Sequence, residues 1–131
     1  MNEPGSLDYN AQNHKKKVKT METRNLKAIA AFSQDKGVLD TMEKRKLVKK
    51  DLLKTKNYTL ALISLNVDQE IPVHPEPYDV CFYVVDGAGA FTVGDEQVEL
   101  SSGELVYAPA NVPRGIKSKE PLILLGIQGP H

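Results

Sequence analysis

The sequence predicts an all-β fold, a barrel or sandwich of short strands, and two observations carry this prediction. From Lys56 onward, apolar and β-branched runs recur at intervals of roughly 8–12 residues, which is typical of packed β-structure. Turn-forming residues separate these runs, among them Gly94-Asp95, Ser102-Gly103, Pro109 and Pro113. The chain has 131 residues and 40% of them are hydrophobic, so one domain with a buried core is expected.

The predicted elements follow in chain order. Residues 1–24 are mostly polar and are expected to form an arm, and residues 25–131 are expected to form the barrel domain. Asn25–Gln34 has apolar residues at helical spacing and predicts a short N-terminal helix. Val38–Lys56 fits neither period cleanly, and we interpret it as strand. Further strands are predicted at Tyr58–Leu65, Val80–Val85, Ala90–Val93, Gln97–Leu100, Leu105–Tyr107 and Leu122–Ile127.

The charges cancel in total but are unevenly distributed. Residues 1–56 hold 14 basic and 7 acidic residues, whereas residues 57–131 hold 3 basic and 10 acidic residues. A net charge of zero disfavours a nucleic-acid partner, and no apolar run is long enough to predict a membrane partner. With a single cysteine, Cys81, and no secretory signal, a cytoplasmic protein is expected. We also expect the opposite charges to help hold the first strands on the barrel or on its dimer mate.

Two stretches of the acidic half resemble a known family. The first runs from Ile71 to Gly87 and contains His74 and Glu76, and the second runs from Gly103 to Gly115 and contains Arg114. Together they resemble the two sequence motifs of the cupin superfamily, over about residues 47–126. The resemblance implies a small single-domain cupin, an all-β double-stranded β-helix or jelly-roll barrel, here preceded by the short helix and the polar arm.

The family's usual metal site has His-x-His in the first motif, a Glu on the next strand and a His after the Pro of the second motif. His74 matches the first ligand, Glu76 stands at the second, the third falls near Val80, and Arg114 stands at the fourth. The resemblance therefore implies a degenerate metal site. If a divalent ion such as Mn, Fe, Ni or Zn binds, His74 and Glu76 are its candidate ligands, with Asp79 as a possible third.

Arg114 is the charged residue that the resemblance places in the barrel. A guanidinium in such a place needs an acidic partner or an anionic ligand. One interpretation is an internal ion pair with Glu76 or Asp79, and the other is a clamp for a carboxylate or phosphate. The expected ligand-binding pocket consists of His74, Glu76, Tyr78, Phe82 and Arg114, and no residue is assigned a catalytic role.

Three functions are in competition. The first is binding of a small anionic molecule, a sugar phosphate or an organic acid, without a typical metal site. The alternative is a metal-dependent enzyme, an oxygenase or sugar isomerase, with an atypical His74/Glu76 site; whether the protein is an enzyme is left open. The third is an interaction module whose basic N-terminal half docks on a partner. The resemblance also implies a homodimer.

Overall fold

The structure, a computed structural model, describes residues 20–131, and most of the predicted arm, residues 1–19, lies outside them. Two short helices occur in the described part of the chain, α1 (Leu26–Ile29) and α2 (Met42–Lys46). The strands there are β1 (Gly37–Val38), β2 (Lys49–Lys54), β3 (Thr59–Leu65), β4 (Gln69–His74), β5 (Val80–Asp86), β6 (Ala88–Val93), β7 (Glu96–Ser101), β8 (Leu105–Ala108), β9 (Arg114–Ser118) and β10 (Leu122–Gln128).

These strands form two five-stranded sheets that enclose the core. One sheet has the order β1-β4-β9-β6-β7, and the other has the order β2-β3-β10-β5-β8. β1 pairs with β4 in parallel, and the other pairings between these strands are antiparallel. The ring of Phe82 in one sheet lies 6.1 Å from that of Phe91 in the other. The all-β prediction is confirmed.

The core is built from the inward side of alternating strand positions. On β5, Val80, Phe82 and Val84 are buried, while the residues between them are more exposed. Residues of both sheets pack into one apolar cluster, so the two sheets share a single continuous core. The other buried members of the cluster are Leu39, Val48, Ile63, Leu65, Ile71, Phe91, Leu100, Ala108, Ile116, Leu122 and Leu124.

The predicted helix at Asn25–Gln34 is shorter than expected. Asn25 caps α1, its side chain accepting a hydrogen bond from the backbone N–H of Ala28 at 3.2 Å, but the helix ends where Ala30 turns extended. The residues that follow are bonded elsewhere, since the side chain of Gln69 donates to the carbonyl oxygens of Ser33 and Asp35. A tertiary contact thus competes with continuation of the helix.

The strand interpretation of Val38–Lys56 is wrong for its middle and confirmed at β2. The side chain of Thr41 accepts from the backbone N–H of Lys44 at 3.2 Å and so caps α2. Glu43 lies in the first turn and three basic residues lie in the last, which suits the helix dipole. Within residues 20–131, no helix is long and apolar enough to cross a bilayer.

Candidate functional site

One end of the barrel contains a cavity of about 300 Å³. Strand register brings its polar residues together there, because His74 lies opposite Arg114 in β4 and β9, and Gln128 lies opposite Val80 in β10 and β5. Apolar side chains line much of the remaining wall, and the segment from α2 to β2 adds basic ones. The lining residues on which the chemistry depends are His74, Glu76, Tyr78, Phe82, Arg114, Gln128, Arg45 and Lys49.

His74 and Glu76 form a hydrogen-bonded pair in the cavity wall. Nε2 of His74 lies 2.9 Å from Oε2 of Glu76, and Nδ1 lies 2.8 Å from the carbonyl oxygen of Pro72. A carbonyl oxygen only accepts, so Nδ1 carries a proton, and the Nε2–Oε2 contact then requires a second, shared proton. The pair therefore satisfies itself, and both ring nitrogens of His74 have partners within the chain.

Arg114 is buried, with 4% of its surface exposed, yet it forms no ion pair with a residue in 20–131. Its Nε donates to the carbonyl oxygen of Val112 at 2.8 Å, and one Nη donates to those of Pro109 at 2.7 Å and Tyr78 at 3.1 Å. Of the two interpretations, the ion pair with Glu76 or Asp79 is not formed, because main-chain carbonyl oxygens take that place. No carboxylate of residues 20–131 lies within ion-pair distance of the guanidinium.

Tyr78 and Phe82 also lie in the cavity wall, as expected. The Tyr78 ring stacks on His131 with 3.9 Å between centroids, and the Arg114 guanidinium lies 5.9 Å from its centre. Burial raises the pKa of Tyr78, Glu76 raises it further, and Arg114 opposes the rise. The phenol therefore remains a neutral hydrogen-bonding group at neutral pH.

Asp79, Tyr83 and Tyr107 do not line the cavity. The hydroxyl of Tyr107 donates to Oδ2 of Asp79 at 2.9 Å on the exposed surface, and this bond raises the pKa of Tyr107. Tyr83 lies on the outer face of its sheet. Asp79 is therefore not placed to act as a third metal ligand.

Sequence reasoning missed four polar residues of the cavity, namely Arg45, Lys49, Gln128 and His131. Gln128 had a usable signal, since it occupies the inward series of β10 after Leu122, Leu124 and Gly126, where a polar residue is unexpected. Arg45 and Lys49 had none, because their direction depends on α2 and on the pairing of Lys49 with Ile63 of β3.

The residues at the family's ligand positions fit a metal ion poorly. In residues 20–131, no group of three His, Cys, Asp or Glu side chains is placed to hold one. His74 and Glu76 bond to each other, and the fourth position carries the fixed charge of Arg114, which repels a cation in a poorly solvated cavity.

The fold and the cavity define a small β-barrel protein with a cavity between its two sheets. The family model described as a cupin domain matches residues 61–127, so the chain belongs to the cupin family. The predicted double-stranded β-helix of a small cupin is confirmed. An uncharacterized protein of Streptomyces coelicolor is 33% identical over 60 residues, a match that covers 46% of this chain and 57% of that protein.

Solved structures agree with this fold. The TT1209 protein from Thermus thermophilus has a TM-score of 0.72 and 26% identity, covering 84% of this chain and 98% of that one. An RmlC-like cupin from Desulfovibrio desulfuricans has a TM-score of 0.70 and 21% identity, covering 85% and 98%. KdgF from Halomonas sp. has a TM-score of 0.61 and 22% identity, covering 63% and 77%, and like the previous structure it shows the fold alone.

Proposed function

We propose that this cupin binds a small anionic molecule, a sugar phosphate or an organic acid, in its barrel. The observation that carries the proposal is the charge of the cavity wall. Arg45, Lys49 and Arg114 supply three cationic side chains, and Glu76 is the single acidic side chain among the lining residues. Residues 57–131, which form most of the barrel, are acidic overall. The excess of positive charge is therefore local to the cavity, and it suits an anionic ligand.

The three cations have different roles in this proposal. Arg114 is held by three carbonyl oxygens, so it contributes charge more than it contributes free donors. Arg45 is half-buried and uses Nε to bond the carbonyl oxygen of Leu39 at 3.1 Å, which orients its guanidinium at the cavity. Lys49 lies 3.8 Å from the exposed Asp51, a weak pair that a ligand can replace. Arg45 and Lys49 are therefore the proposed contacts for the anionic group.

Calorimetric titration with glucose 6-phosphate, gluconate and neutral glucose tests this proposal. At least one of the two anions is expected to bind more tightly than glucose, and Arg45→Gln is expected to weaken it about tenfold by removing a charged hydrogen bond. Lys44→Gln is the matched control, because Lys44 lies on the same helix outside the cavity and pairs with Asp40. Equal losses in both variants, or glucose binding as tightly as the anions, would contradict the proposal.

The metal-dependent enzyme, with His74 and Glu76 as ligands, is the weaker alternative, since those two side chains bond to each other. Elemental analysis of the same purified protein separates the two functions. A stoichiometric divalent metal that is lost in His74→Ala would favour the alternative and count against the anion site.

A further inference from the structure

The side-chain oxygen of Gln128 is a buried polar atom without a partner in residues 20–131. Gln128 ends β10, is 4% exposed and lines the cavity. Its Oε1 has no hydrogen-bond partner in residues 20–131, and it is the single buried side-chain nitrogen or oxygen there of which this is true. Buried polar atoms are almost always paired, so an unpaired one in a residue that lines a cavity needs an explanation.

Gln69 shows how this chain treats a buried glutamine with a structural role. It is 1% exposed, its Nε2 donates to the carbonyl oxygens of Ser33 and Asp35, and its Oε1 accepts from the N–H of Asn66 at 2.8 Å. The same side chain is therefore fully bonded at one buried site and unbonded at the other. An unpaired amide oxygen destabilises the ligand-free fold. A residue that costs stability in this way is expected to serve ligand binding instead.

The position of Gln128 restricts the ligand. Lys49 lies opposite Ile63 of β3, whereas Gln128 lies opposite Thr59 of the same strand. Thr59 and Ile63 are about 13 Å apart along β3, and Lys49 and Gln128 lie on opposite sides of that strand, so their backbone positions are about 16 Å apart. A ligand that reaches from the basic residues to Gln128 therefore carries its anionic group at one end and a hydrogen-bond donor several atoms away.

We infer that Gln128 is a ligand-binding residue whose Oε1 accepts a hydrogen bond from a hydroxyl of the ligand, and that the ligand is a hydroxylated organic anion rather than a plain one. The inference rests on the proposed anion site and deepens it. Arg45 and Lys49 hold the anionic group, and Gln128 discriminates a polyhydroxylated chain from an alkyl chain, because an alkyl chain leaves the amide unpaired.

Two matched pairs of acids test this inference by calorimetric titration. Gluconate is compared with hexanoate, and glucose 6-phosphate with hexyl phosphate, so that the two arms also distinguish a carboxylate from a phosphate. In the pair that binds, the hydroxylated member is expected to bind at least about tenfold more tightly, and Gln128→Met is expected to weaken that member about five- to tenfold while changing the alkyl member less than about twofold.

The outcomes are distinguishable. If both members of a pair bind equally, or if Gln128→Met weakens both equally or neither, the inference is overturned and the proposed anion site stands. If none of the four molecules binds, the proposed function and the inference are both overturned.

Thermal unfolding without ligand gives a second, independent readout. Gln128→Met is expected to raise the melting temperature by about 3 °C, since an unpaired buried amide is replaced by an apolar chain of similar size. The matched Gln69→Met variant is expected to lower the melting temperature by at least as much, since it breaks three hydrogen bonds. A lower melting temperature in Gln128→Met would assign Gln128 a structural role and overturn the inference.

Discussion

The guanidinium of Arg114 ties together parts of the main chain that meet at one end of the barrel. It binds carbonyl oxygens from the loop before β9, at Pro109 and Val112, and from the segment before β5, at Tyr78. The same loop is fixed from its other side, where the N–H of Asn111 donates to the carbonyl oxygen of Glu76 at 2.7 Å. Arg114 therefore shapes the cavity mouth as well as charging it.

Replacing Arg114 is expected to destabilise the protein. Arg114→Met leaves three carbonyl oxygens without their donor and is expected to lower the free energy of unfolding by about 3 kcal/mol, measured in urea. Lys117→Met on the exposed side of β9 is the control and should change it by less than about 0.5 kcal/mol. Similar losses in the two variants would contradict a structural role for Arg114.

At the scale of elements, most strands were predictable because alternation and turn residues are local properties. Tyr58–Leu65 and Val80–Val85, for example, became β3 and β5 with shifts of a single residue at one end. α2 was missed because its capping by Thr41 is a single local hydrogen bond, whereas its apolar period is weak. α1 was overestimated because a distant residue, Gln69, bonds the chain that follows it.

Two turn glycines offer a test of how tightly the elements pack. Gly87 and Gly103 both have φ of 90°, which disfavours any residue with a Cβ. A Cβ on Gly87 would clash with the carbonyl oxygen of Pro121, whereas a Cβ on Gly103 would meet nothing within 4 Å. Gly103→Ala isolates the backbone strain, and Gly87→Ala adds a clash between the β5–β6 turn and the start of β10.

Gly103→Ala is expected to lower the free energy of unfolding by about 1 kcal/mol, and Gly87→Ala by at least about 3 kcal/mol. Urea unfolding of both variants beside the wild type measures the difference. If the two substitutions have the same effect, the close approach of Pro121 to Gly87 does not contribute to stability.

At the scale of the whole molecule, ion pairs within the described residues of one chain do not carry the expected attraction between the two halves, and attraction to a second copy stays a prediction. None of the ion pairs within residues 20–131 joins the basic half to the acidic half. β2 is held on β3 by main-chain pairing instead. The basic half instead contributes Arg45 and Lys49 to the wall of the barrel cavity.

The homodimer implied by the resemblance stays a prediction, and we propose the outer face of the β2-β3-β10-β5-β8 sheet as its interface with a second copy. Tyr83 and Leu105 lie opposite each other there and are 37% and 58% exposed. Ile127 and Tyr107 are exposed on the same sheet, so the face presents a group of apolar and aromatic side chains to solvent.

Light scattering coupled to size-exclusion chromatography tests this interface. The wild type is expected at twice the 14.5 kDa chain mass, and the double variant Tyr83→Glu, Leu105→Lys at the monomer mass, because charges on an apolar face oppose its burial. Val98→Glu, an exposed apolar residue on the other sheet, is the control and should remain dimeric. A monomeric wild type, or a double variant that stays dimeric, would contradict the proposal.

The sequence was sufficient for the fold class, most of the strands and the two motif segments, because these depend on neighbouring residues and on spacing along the chain, whereas β4 and β9 are not among the predicted strands. It also placed His74, Glu76 and Arg114 at the same site through the resemblance. The partners of those side chains required the folded chain: Arg114 bonds carbonyl oxygens rather than a carboxylate, and His74 bonds Glu76. The placement of Gln128 in the cavity likewise follows from strand register, which joins residues distant in sequence.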